Sequence, residues 1–402
     1  MPWKESSVME QRLVFVVEWL KHECSMAELC RSFSISRQTG YELVAQYQAH
    51  GLDGLKPRSR APQHHPNAID EAVCAALIRA KARHPSWGPK KLGPLEDEAE
   101  RIKAQWPVAS TRGAILARAG LVVKRRRPRP HVPAWSQPFG SVTAANDTWC
   151  ADFKGWFRTG DGLRCDPLTI SDAHSRLLVR CQALHHGIET QYVRPVFEAA
   201  FREYGLPLHM RTDNGSPFAS VGAGGLSRLA VWWIKLGITP ERIDAGRPSQ
   251  NGRHERFHRT LNEATAQPPA ATIRAQQQRF DAFRNEYNTE RPHEALQQQP
   301  PMSRYTPSPR AYPRRLEEPH YAEADQVRRV RHDGEILWSS STIYLSHLLV
   351  GEPVGIYAAD GGWLVRYGPV ELGMLDPANS RLREARPRRS GSWHRRAHRS
   401  DQ

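Results

Sequence analysis

The spacing of apolar positions changes several times along the chain, and each change marks a different kind of structure. Residues 8–22, VMEQRLVFVVEWLKH, repeat at helical spacing, which predicts Leu13, Val16, Val17 and Leu20 on one face. The next stretch, CSMAELCRSFSISRQTGYELVAQYQAHG (24–51), has the pattern of a helix, a tight turn and a second helix. Ser25 followed by Glu28 is a capping-box signature, Ser36 is placed to cap the second helix, and Gly51 to stop it. The pattern predicts a helix-turn-helix unit over residues 1–60. Ser36, Arg37, Gln38 and Thr39, on the first turn of its second helix, are candidate readers of DNA bases or phosphates. Any small helical hairpin shares so loose a signature.

A second helical set follows over 66–122. IDEAVCAALIRAKAR (69–83) is strongly helical, WGPKKL (87–92) is expected to begin a second helix, and VASTRGAILARAG (108–120) forms a third. Ser110 or Thr111 is expected to cap that third helix and Gly120 to end it. Over 141–310 the pattern turns to strands alternating with helices. TWCADFKGWF, LTISDAHSRLLVRCQAL and HMRTDN have strand character, with a helix at GIETQYVRPVFEAAFREYGL between the last two. A helix at GLSRLAVWWIKLG, a short strand at ITPERIDAG and two closing helices complete a mixed α/β sheet. Trp232 and Trp233 fall within an apolar helix, where core packing is the expected use. Over 325–378, short strands with Asp-Gly and Gly-Gly turns predict a small all-β barrel of SH3-like size.

Charge then changes the picture. The chain of 402 residues carries a formal net charge of +15, and ten of its 57 basic residues are Lys, leaving 47 Arg. Guanidinium forks match phosphate oxygens, so double-stranded DNA is the partner this balance favours. Lys124, Arg125, Arg126, Arg127 and Arg129, stiffened by proline, suit an extended basic linker over 123–140. Arg386, Arg388, Arg389, Arg395, Arg396 and Arg399 suit a basic tail over 379–402, disordered until it meets an anion. Six Cys form no C-x-x-C pair, so reduced, buried thiols are expected. With no apolar run of membrane-spanning length and no secretory start, the expected setting is cytoplasmic and nucleoid-associated, with no membrane partner.

Three acids stand where local structure does not require them. Asp152 interrupts a strand, where an unpaired buried charge is costly. Asp213 lies at a strand end in MRTDNGSPF, where turn chemistry alone could explain it, with Asn214 and Gly215 forming the turn. Glu255 sits near a helix start, where an acid is tolerated and Arg259 is an (i, i+4) partner. If the three converge at one sheet edge, their hard oxygens suit two Mg²⁺ or Mn²⁺ ions that clamp a phosphodiester. Lys154 shares the face of Asp152 by alternation and is a candidate for the scissile phosphate. Asn251 and Gly252 let the helix of Glu255 start close by, and Arg247, Arg253, Arg256 and Arg259 bracket Glu255 as candidate phosphate contacts.

The run WCADFKGWF, RTDNGSPF, GRPSQNGRHERFHRTL and YNTERPH resembles the integrase-core transposases of bacterial insertion sequences, relatives of retroviral integrase. The resemblance covers about 140–300, and the helical units at 8–122 resemble that family too. It implies a ribonuclease H-like core and an Asp-Asp-Glu triad on Asp152, Asp213 and Glu255. It also implies Mg²⁺, a homo-oligomer (dimer or tetramer) on paired inverted-repeat ends, and direct joining of freed 3′-hydroxyls to target DNA. Two departures stand out. Asp213 and Glu255 are 42 positions apart, a few more than usual, and SVGAGG (220–225) is expected to be a flexible insertion. The zinc module of retroviral integrases is absent, since His64 and His65 precede only Cys74, so zinc is not expected. Two other functions share the charge pattern: a DNA-binding regulator or inactive remnant, and a ribonuclease H-like nuclease that only hydrolyses.

Overall fold

A computed structural model describes residues 7–57, 68–93, 106–122, 142–242 and 252–383. Packing divides the chain at Asp70 into two units. The first holds α1 (Val8–Leu20), α2 (Met26–Ser32) and α3 (Arg37–His50). Ser25 and Glu28 close a full capping box, Ser36 Oγ accepts the Thr39 N–H, and Gly51 ends α3 with φ +60°. The core is Phe15, Val16, Leu29, Leu43, Val44 and Leu55. The face predicted for α1 is therefore corrected. Val16 is buried, whereas Leu13, Val17 and Leu20 are exposed. α1 is apolar on nearly every side, so periodicity cannot choose the stripe; Phe15 and its edge-on contact with Phe33 do. Gly40 lets α3 close on α2, since a Cβ there would meet Cys30 Sγ at 2.5 Å.

The second unit begins with α4 (Glu71–Arg83) and, after a turn, α5 (Ala109–Arg118). WGPKKL makes a single turn closed by Lys91 and Leu92 N–H on the Gly88 carbonyl, and residues 94–105 lie outside the described residues. The cap of α5 is also corrected: Val108 takes that position and no side chain accepts there. Gly120 ends the helix at φ +71°, as expected.

The sheet has β1 (Thr148–Phe153), β3 (Arg164–Asp172), β4 (Leu178–Leu184), β5 (His209–Thr212) and β6 (Thr239–Arg242), with β2 (Phe157–Arg158) as a short extension of β3. β4, β3 and β1 are antiparallel neighbours; β5 and β6 lie parallel to β1 on its other side. α6 (Thr190–Tyr204) and α7 (Arg228–Lys235) cover one face. α6 buries Val193, Val196, Phe197, Ala200 and Phe201, a spacing of three and four, against Trp149 and Met210. At about 1.5–3 kcal/mol for each large apolar side chain, that stripe outweighs the Pro195 in its early turns. Trp232 and Trp233 are buried in the same core, as expected. The opposite face carries α8 (Gly252–Thr265) and α9 (Ile273–Thr289).

Seven strands follow, from β7 (Gln326–Arg329) to β13 (Arg381–Arg383), ordered β7-β10-β11-β12-β13-β9-β8, and β8 returns beside β7 to give a barrel-like sheet. The last strand lies beyond residue 378, inside the stretch expected to be tail, and 384–402 fall outside the described residues. The apolar residues of this sheet continue the core of α6 and α7, and Lys235 pairs with Glu352 at 2.6 Å across the join. Residues 220–225 are not a loose insertion. The Gly224 carbonyl accepts Arg242 Nη2 at 2.8 Å, and a Cβ on Gly224 would meet the Glu371 carbonyl at 2.9 Å, so the loop is packed against β12 (Val370–Asp376).

Candidate active site

The two central strands bring two of the three acids together. β1 and β5 run in parallel register with Ala151 opposite Thr212, and the next residues are Asp152 and Asp213. Trp149 and Ala151 point into the α6 and α7 core, so alternation turns Cys150, Asp152 and Lys154 to the α8 and α9 face. The same alternation carries Asp213 to that face, one residue past buried Thr212, which lies on the side of the core residue Met210. Asp152 is 9% exposed, within a sheet that would reject a lone carboxylate. Asp213 Oδ1 accepts the Gly215 N–H at 3.2 Å, and a Cβ on Gly215 would stand 3.1 Å from Asp213 Oδ2. Turn former and strand-end acid are thus one and the same residue, and glycine follows it because the carboxylate occupies the space of a side chain.

Glu255 stands exposed on the first turn of α8. One turn later His258 meets the sheet. Thr169, the β3 partner of Asp152, donates its hydroxyl to the Asp152 carbonyl at 3.1 Å and lies 2.9 Å from His258 Nε2. The other ring nitrogen of His258, Nδ1, faces Asp152 Oδ2 at 4.0 Å. The helix is thereby fixed against the strand one turn after Glu255. The all-oxygen set suits a hard divalent cation in its chemistry. Among the described residues, however, no three His, Cys, Asp or Glu side chains stand together as a metal-holding group.

The remaining candidates are spread out. Lys154 lies with its ammonium 5.0 Å from the Phe157 ring, and burial lowers it below its ordinary value. Arg256 and Arg259 are exposed on α8. Ser36, Arg37, Gln38 and Thr39 are exposed in the first unit. There the Ser36 and Thr39 hydroxyls bond each other at 2.9 Å and Gln38 donates to Glu42 at 3.1 Å. Lys124, Arg125, Arg126, Arg127, Arg129, Arg247, Asn251 and the Arg253 side chain lie outside the described residues. No helix of the described residues is long and apolar enough to cross a membrane.

Integrase core domain families match residues 142–248 and 236–301, and helix-turn-helix and homeodomain-like families match 11–63 and 39–106. An uncharacterized 31.7 kDa protein of insertion element IS407 from Burkholderia multivorans is 32% identical over 257 residues, covering 63% of this chain and 87% of that protein. The chain belongs to the integrase-core transposase family of insertion elements. An uncharacterized 39.2 kDa protein of insertion element IS476 from Xanthomonas euvesicatoria is 26% identical over 286 residues, 70% of this chain and 78% of that one. Among solved structures, the HTLV-2 integrase catalytic core domain with magnesium is 14% identical, with a TM-score of 0.32 over 40% of this chain and 98% of that one. A simian T-cell lymphotropic virus intasome is 13% identical, with a TM-score of 0.34 over 75% and 99%.

Within this integrase core, YNTERPH acquires a physical role that its sequence did not disclose. Asn288 accepts the Leu178 N–H at 2.9 Å and donates to the Leu178 carbonyl at 3.0 Å, locking α9 to β4. Tyr287 packs edge-on against Phe257, 5.3 Å away on α8 and two residues from Glu255. Glu286 meets His84 at 3.1 Å, buried Arg291 lies 3.5 Å from Ser86, and Glu294 pairs with Lys90 at 2.7 Å. The motif and its flanking acids Glu286 and Glu294 therefore clamp the α4–α5 turn and the acid-bearing helix to the same end of α9. The signal was a run of polar residues at a helix end; their partners are about 110 to 200 positions away, beyond any local pattern.

Proposed function

We propose that this chain is a DNA transposase that binds the inverted-repeat ends of a mobile element, frees 3′-hydroxyls and joins them to target DNA by transesterification. The observation that carries the reading is the parallel register of β1 and β5, which ends one step short of Asp152 and Asp213. Asp152, Asp213 and Glu255 are the residues that would hold two divalent ions, Mg²⁺ or Mn²⁺. When bound, such ions activate the attacking hydroxyl and steady the leaving oxygen. The protein's own part is orientation. The sheet fixes Asp152, the Gly215 turn fixes Asp213, and the His258–Thr169 bond fixes the rotation of α8 so that Glu255, three residues earlier, shares the face of His258.

Ser36, Arg37, Gln38 and Thr39, with the linker cations Lys124, Arg125, Arg126 and Arg127, fit recognition of the element end. Lys154, Arg253, Arg256 and Arg259 fit backbone contacts near the reacting phosphate. The carboxy-terminal sheet fits a small SH3-like barrel, and pairing of two ends requires at least two copies of the chain.

A strand-transfer assay tests the reading, using the full chain, Mg²⁺ and a duplex that ends in the repeats flanking the gene. Joined product is expected. Tight binding with no joining in Mg²⁺ or Mn²⁺ would leave a regulator, and cleavage to free ends alone would leave a nuclease.

A further inference from the structure

Away from the carboxylates, the second unit gathers positive charge in one place. β3 and β4 are joined by a tight turn in which Arg176 takes a left-handed backbone, φ +66°. Asp172 builds that turn by accepting the Ser175 N–H and hydroxyl, both at 2.6 Å, and the Asn146 N–H at 2.8 Å. Asp172, whose field reaches Arg176, is thus already bonded to three other donors. Arg176, His174, Gln297 and Arg304 line a cavity of about 430 Å³, with the Arg304 guanidinium 3.2 Å from Gln297 Oε1. That volume is far more than the ~30 Å³ share of one water.

Arg176 also shares a positive field with Lys91 and Arg291, and all three bear on the neutral His293. Arg291 is 6% exposed, and its contact with Ser86 is long at 3.5 Å. His293, edge-on to Tyr287 at 4.7 Å, lies within the field of Lys91, Arg291 and Arg176, and its Nε2 is buried with no hydrogen-bond partner. Burial and this crowd of like charge push Lys91 down to about 8 and His293 down to about 3. Of the acids around them, Glu286 meets His84 and Glu294 pairs with Lys90, while Glu263 adds its field at Arg291. Two guanidinium groups lining a roomy cavity, one of them within a positive field shared with Lys91 and Arg291, are arranged for an anion from outside.

We propose that this cavity is a phosphodiester-binding site, in which Arg176 and Arg304 hold one backbone phosphate of DNA. The inference rests on the DNA-joining reading above and adds a grip at a place distinct from the reacting centre. Trp149 pairs with Asp172 and Asp152 with Thr169, so the turn begins three register positions from the first carboxylate, about 10 Å along the sheet at ~3.3 Å per residue. Arg256, next to Glu255, lies within the field of Arg176, which links the cavity to the acid-bearing helix. The fork of a guanidinium suits phosphate oxygens and carries no base information, so the site positions DNA rather than choosing its sequence.

The test is fluorescence anisotropy of the full chain on short duplexes across a salt series. Arg304→Gln and Arg176→Gln should each weaken binding several-fold at low salt and reduce the slope of log affinity against log salt by about one, while Arg176→Lys keeps the slope. Arg304 is exposed, so its variant remains informative even if Arg176→Gln misfolds. Loss confined to a duplex carrying the flanking repeats assigns the phosphate to the element end; equal loss on unrelated duplex assigns it to any backbone, target included. Wild-type affinity and slope in folded Arg304→Gln and Arg176→Gln would overturn the site while leaving the joining reading intact. A wild type that binds with this slope and never joins would keep the site and remove the joining.

Discussion

The two helical units ahead of the sheet look alike in sequence and are held in opposite ways. α1–α3 carry their own core and their own caps, with Ser25, Glu28 and Ser36 each bonded within three residues. The α4–α5 turn instead hangs on the integrase core, through His84 to Glu286, Ser86 to Arg291 and Lys90 to Glu294. The first unit can keep its shape alone, whereas the α4–α5 turn is tied to the acid-bearing helix through the motif, in which Tyr287 packs on both His293 and Phe257.

The comparison can be broken or sharpened in order of effect. Asp152→Asn, Asp213→Asn and Glu255→Gln should each reduce joining by roughly 10³-fold or more while leaving end binding largely intact, since a lost ligand removes several kcal/mol from the transition state. Near-normal joining in any one of them takes that residue out of the site. Asn288→Ala leaves the Leu178 N–H and carbonyl unsatisfied in a buried place, at about 2–4 kcal/mol. Thermal melting should show the second unit losing stability with the first unit unmoved; equal loss in both units would contradict the division. Ser25→Ala should do the converse, costing the first unit about 1 kcal/mol with no change in joining chemistry.

A smaller effect concerns pH. His293 is held neutral in the folded chain down to about 3, against an ordinary 6.5. Between those values the unfolded chain binds the extra proton, so the second unit should lose stability as pH falls below about 6.5. His293→Gln should flatten that slope in denaturant titrations. The least effect is expected from a double-mutant cycle of His84→Ala with Glu286→Gln, since the pair is partly exposed; a coupling of about 0.5–1 kcal/mol would show that the turn is held, and zero that the contact is incidental.

Much of this was legible along the chain. Asp152 stood out because a strand interior does not tolerate a carboxylate without cause, and the caps of α2 and α3 were legible because their partners lie three residues away. The stripe of α1 was not, because Leu13, Val17 and Leu20 are as apolar as Phe15 and Val16. Val108 at the head of α5 defied the usual cap residues, and nothing in the structure explains why Ser110 and Thr111 stand inside the helix instead. The role of YNTERPH, the His258–Thr169 bond and the Arg176 cavity all depend on pairs tens to hundreds of positions apart, which only the folded chain brings together.

The loop at 220–225 ties two distant parts of the molecule to one another. It begins a few residues after Asp213, is tethered by Arg242 at the end of β6, and rests on the barrel at β12. Any shift of β12 therefore bears directly on the segment that leaves Asp213, so the barrel edge and the strand-end acid cannot move wholly independently of one another.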